Sequence, residues 1–190
     1  MPAPNSSLIG KVARKLSQAP AYAAIEGARG SLLSAAASSY GFDSANEDYT
    51  QPTGFDPDAA RFFEAIVEGA FLVAHADGRF DGVEHSAFQH VVVTACAGRV
   101  SERQVAALLA DLQDQLTEDG MTKRVQMVAR AITRDDHARE VLRVSSLLAQ
   151  VSGGVSAVER EVLDKLAAEF KLSGAAVEQA IEEAAHALDD

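Results

Sequence analysis

The sequence predicts an all-α fold: a seven-helix bundle with an internal duplication, preceded by a partly helical N-terminal extension. Three observations carry this. Apolar residues recur at helical spacing along most of the chain. The apolar content leans on alanine, with 6% aromatics and no Trp, which suits closely approaching helices better than strands built from β-branched and aromatic residues. Residues that start helices punctuate the apolar stretches, and nothing between them alternates with the period of a strand.

In chain order, Leu8, Ile9, Val12 and Leu16 share one helical face, with Lys11, Arg14 and Lys15 beside them. The Ala-rich stretch from Ala21 to Ser39 is expected to be helical as well. Ser38 through Gly54 offers turn formers and charges without periodicity and is expected to be a linker. These segments make up an extension over residues 1–55, followed by a helical domain over 56–190. Asp56-Pro57 opens that domain, because the carboxylate accepts from orphan N–H groups and proline in the first turn loses no hydrogen bond. Phe62, Phe63, Ile66, Val67, Ala70, Phe71, Val73 and Ala74 then cover most of a helix circumference, which predicts a central helix. Further helices are expected over 81–97, 101–116, 121–133, 136–151, 156–170 and 173–187. Ser101 with Gln104, and Ser156 with Glu159, have the spacing of a capping box.

Charge narrows the function classes. The net charge is −11, yet four basic residues against one acid leave the first 42 residues at +3, so the remainder carries −14. A body of that sign repels phosphate backbones, which argues against nucleic acid as a partner. The single cysteine, Cys96, excludes an intrachain disulfide and lies in an apolar run that reads as core. No stretch approaches the ~20 apolar residues of a membrane span, so the cytoplasm is the expected location.

The most informative feature is a repeat. The segment from Phe71 to Glu84 aligns at a fixed offset with that from Ser146 to Glu159, pairing Gly78 with Gly153, Phe80 with Val155, Asp81 with Ser156 and Glu84 with Glu159. Further on, Val100-Ser101 matches Leu172-Ser173. Physical chemistry explains the shared residues. A glycine takes the left-handed conformation that ends a helix, an apolar residue anchors in the core, and a cap with its glutamate opens the next helix.

The residues Ala74-x-Ala76-Asp77-Gly78-x-Phe80-x-x-x-Glu84 resemble the TerB family associated with bacterial tellurite resistance, and a related domain of membrane-anchored co-chaperones. The resemblance covers about residues 57–187 and implies an all-helical arrangement of seven helices. It also implies a binding or adaptor role in tellurite or chemical stress resistance, with no settled enzymatic reaction. Acidic residues of the motif are proposed in the family to bind cations or partners. Here Asp77, Asp81 and Glu84 match them, whereas Ser152 and Ser156 stand in two of those places in the second copy.

A non-enzymatic binding module with a protein partner is therefore expected, with no small-molecule substrate. Any membrane association would be indirect or through the basic N-terminal helix, as in a co-chaperone-like module. The alternative is a divalent-cation sensor, with Asp77, Asp81 and Glu84 as oxygen ligands helped by His75 or His85. A cap role explains the same residues equally well, and no cofactor other than such a cation is expected. A di-iron centre fails on its ligand pattern, since neither Glu64 nor Glu68 is followed by a histidine three residues on. The repeat instead sets Glu64 opposite Arg139 and Glu68 opposite Arg143 as candidate ion pairs. No Gly-x-Ser-x-Gly turn or phosphate-binding glycine loop occurs. His90, His137 and His186 are scattered and read as surface or packing residues.

Overall fold

The computed structural model describes residues 6–20, 30–41 and 55–187. Regular structure among the described residues is entirely helical, without strands. In order come α1 (Ser6–Leu16), α2 (Leu32–Tyr40), α3 (Pro57–Ala74), α4 (Gly82–Ala95) and α5 (Glu102–Asp119). There follow α6 (Met121–Ala131), α7 (Asp135–Ala149), a 3-10 turn over Gln150–Ser152, α8 (Ala157–Glu169) and α9 (Gly174–His186).

Two helices form the axis of the molecule. Every residue of α3 from Ala65 to Val73 is buried, and so is every residue of α7 from Glu140 to Ala149. A helix covered on all sides has no solvent face to polarise, which is why the apolar residues of α3 run round its circumference. The two pack on each other more extensively than any other pair. Gly69 permits this, because a Cβ there would sit 2.4 Å from Cγ1 of Val141. α2 and α6 flank α3, α9 covers α7, and α8 touches both axial helices.

Helix starts follow local chemistry. Asp56 Oδ1 accepts from the N–H groups of Asp58 and Ala59, ahead of Pro57. Reciprocal capping boxes open α4, α5 and α8. Ser173 begins α9 without a side-chain cap bond.

The N-terminal segment departs from expectation at two points. The helix placed over 21–39 is interrupted at Gly30 and Ser31: α2 starts at Leu32, where Ser31 caps it in extended conformation after Gly30 at φ +135°; residues 21–29 lie outside the described residues. The linker placed from Ser38 does not start there. Ser38, Ser39 and Tyr40 belong to α2, because Ser39 is buried and the Tyr40 ring packs on Phe63 at 4.8 Å between centroids. The remainder of that linker, 42–54, is outside the described residues. Both helices of the segment also share the core, as Val12, Leu16, Leu33 and Ala37 are fully buried in one cluster with the axial helices.

The ion pairs differ from those suggested by the repeat. Glu68 takes Arg124 of α6, with Oε1 2.6 Å from Nη2 and 2.7 Å from Nε, and Arg124 also reaches Asp119 at 3.1 Å. Arg143 pairs with Glu140 one turn back on its own helix, at 2.9 Å. No pair joins Glu64 or Glu68 to Arg139 or Arg143 among the described residues. Glu68 thus finds its partner on α6, and Arg143 finds one on its own helix.

Candidate binding cleft

Each axial helix ends at a hinge. After α3 the chain turns through Gly78, at φ +75°, whose N–H donates to the His75 carbonyl at 2.9 Å. After α7 and the 3-10 turn it passes Gly153, at φ +114°, whose N–H donates to Gln150 at 3.2 Å. Both values lie in the left-handed region that costs an L-residue energy and glycine none.

Past each hinge an apolar anchor packs on the core, Phe80 after the first and Val155 after the second. Phe80 meets Phe71 and Phe88 edge-on, each at 5.9 Å, while the rings of His75 and His85 lie at 4.7 and 5.6 Å. These imidazoles thus border the Phe80 cluster. His75 Nε2 lies 2.7 Å from Gln113 Oε1, and burial holds its pKa below the ordinary imidazole value.

The caps follow. Asp81 Oδ1 accepts from Val83 N–H at 2.8 Å and Glu84 N–H at 2.9 Å, and Glu84 Oε2 accepts from Asp81 N–H at 3.1 Å. Ser156 and Glu159 repeat the exchange: Glu159 Oε2 accepts from Ser156 N–H at 2.7 Å, and Ser156 Oγ from Glu159 N–H at 3.3 Å. Asp77 Oδ1 accepts from Arg79 N–H at 2.8 Å. The backbone donors to Asp81, from Glu84 and then Val83, hold its carboxyl below the usual carboxylate range.

Asp77, Asp81 and Glu84, the residues singled out as candidate ligands, thus each bind backbone. No group of three or more His, Cys, Asp or Glu side chains suited to a metal ion occurs among the described residues.

A feature not anticipated from the sequence is what the two hinges enclose. A cleft of about 790 Å³ lies between them. One wall is Asp77, Arg79, Phe80, Asp81, Val83 and Glu84; the other runs from Val151 to Ser156 and adds Glu159. Its floor comes from the axial helices through Ala70 and Leu148, and α1 contributes Leu8. Four carboxylates line it against one guanidinium, that of Arg79, and none of the five joins an ion pair among the described residues. Val83, at the cleft, and Val158, in the first turn of α8, are 51% and 42% exposed. An exposed branched residue in the first turn of both helices is the signal that was available in the sequence. The fold that brings the two turns together was not.

Elsewhere, Cys96 is fully buried, and burial pushes its thiol pKa up to about 12, as suits a packing residue with no thiolate at neutral pH. His137 stacks on Phe62 at 3.7 Å. No helix among the described residues is long and apolar enough to cross a membrane. No protein-family model, curated protein or solved structure matches the chain.

Proposed function

We propose that the chain is a non-enzymatic, TerB-like binding module, built from two related helical units, that engages a protein partner through the cleft between its hinges. The observation that carries this reading is the position of the cleft. Residues matched by the repeat line both of its walls, and its floor draws on both axial helices through Ala70 and Leu148. Ligand sites favour such junctions between packed units, with apolar lining and a few polar groups. The duplication is further supported by the equivalent buried stretches of α3 and α7 and by paired glycine hinges and capping boxes.

The motif acids serve this reading better than a cation sensor. Their hydrogen bonds to backbone N–H groups explain their spacing, and Asp77, Asp81 and Glu84 do not form a gathered ligand set. Calorimetric titration with Ca²⁺, Mg²⁺ and Zn²⁺ separates the two. The binding-module reading expects no saturable heat up to millimolar metal; one-to-one binding abolished by Asp77→Asn would favour the sensor.

The direct test is capture by the full-length chain, comparing wild type with a cleft variant, Asp77→Lys with Val83→Arg. Both residues are exposed, so the variant keeps the core intact. A partner retained by wild type and lost by the variant supports the module. Identical capture by both counts against the cleft as its site. The TerB resemblance extends the proposal to tellurite or chemical stress, and equal tellurite tolerance of a deletion strain and its parent would remove that extension.

A further inference from the structure

We infer that the cleft accepts the apolar face of a basic amphipathic helix, whose Lys or Arg side chains meet Asp77, Asp81, Glu84 and Glu159. This deepens the reading of the cleft as a binding site and rests on it. Three features of the cleft select this class of partner.

The first is charge. Each of the four carboxylates uses one oxygen to accept from backbone, leaving the other without a hydrogen-bond partner among the described residues. A neutral or acidic occupant would strip water from these acids and return nothing, which is costly for an ionised group. A partner carrying several cations replaces that water with charge-assisted bonds.

The second is the apolar surface between the acids. Phe80, Val155, Leu148 and Val151 line the cleft, and Val83 stands exposed at its edge. Cations alone would leave this surface wet. The complement is a segment with one apolar and one basic face.

The third concerns backbone. The described scaffold is helical throughout and offers no sheet edge, so a strand laid on the cleft would find no ladder partner. Over an apolar floor a peptide must satisfy its own N–H and C=O groups, and a helix does so internally. Anchors at i, i+3, i+4 and i+7 are the expected recognition pattern.

The test uses the full-length chain and two fluorescent synthetic peptides followed by anisotropy. One carries leucines at helical spacing with lysines on the opposite face, and the other has glutamate in place of every lysine. The lysine peptide is expected to bind at least about tenfold more tightly than the glutamate peptide, and to weaken about tenfold when salt rises from about 0.05 to 0.3 M. Asp77→Lys with Val83→Arg is expected to weaken it by a further tenfold or so while circular dichroism shows the helical fold retained. Equal affinity for the two peptides, or an unaffected variant, overturns the inference. If neither peptide binds while a captured partner is still lost on cleft substitution, this partner class is wrong and the binding module stands. If the lysine peptide binds and the same substitutions release it, both stand.

Discussion

At the scale of single residues, the hinges depend on hydrogen bonds that can be removed one at a time. Ser156 Oγ accepts from the N–H of Glu159, whereas Ser173, at the corresponding place before α9, makes no such bond. Ser156→Ala is therefore expected to lower the unfolding free energy by about 1 kcal/mol, and Ser173→Ala to leave it nearly unchanged. Urea unfolding of the two variants checks the contrast. His75 supplies a pH dependence of definite sign. Burial lowers its pKa in the folded chain below the ordinary imidazole value of 6.5, so the unfolded chain binds the proton first. The stability from keeping His75 neutral is complete above that value and is lost as pH falls from it through the lower folded-state pKa. Unfolding midpoints at pH 7.5 and 5.5 should drop on acidification, and drop less in His75→Gln. An equal loss in both proteins would assign the acid sensitivity to other groups.

Helices are joined to the body by contacts that sequence patterns do not carry. Arg143 on α7 is 2% exposed; besides pairing with Glu140 it donates to the carbonyls of Lys15 and Gln18, at the C-terminal end of α1. A guanidinium at that position also complements the partial negative charge of a helix C-terminus. Arg143→Met removes one partner of the buried Glu140 together with both carbonyl bonds to the end of α1, and is expected to lower the unfolding free energy by about 2 kcal/mol. Hydrogen exchange should show residues 6–16 losing protection ahead of 57–74; uniform loss would mean the arginine holds the core without docking α1. The same contact bears on any membrane role for the basic helix. Val12, Ala13 and Leu16 are already buried, so α1 must leave the core before its apolar face can meet lipid.

For the molecule as a whole, what was legible in the sequence is what local chemistry determines. Gly78 and Gly153, the three capping boxes and the all-round apolar pattern of α3 each need only a few neighbouring residues, and each stands as expected. Contacts across the fold were not legible. Glu68 finds Arg124 rather than Arg143, because α6 passes beside α3 in a way no spacing encodes. Gly41 reads as a turn former, yet its absent side chain matters for another reason: a Cβ there would fall 1.6 Å from the Arg99 carbonyl oxygen. The candidate site was legible by halves. Asp77, Asp81 and Glu84 stood out as an acidic group, but Leu8, Leu148 and Val151, which turn that group into the wall of a cleft, come from helices distant in sequence.

That the two hinge units act together as one binding surface is the claim on which the functional account depends. Backbone NMR of the full-length chain during titration with the lysine-faced helical peptide tests it most directly. The account predicts that amide signals of Asp77–Glu84 and Ser152–Glu159 shift together, with one saturation curve, while those of α5 and α9 stay in place. Shifts confined to one hinge, or gathered on a face remote from both, would contradict it.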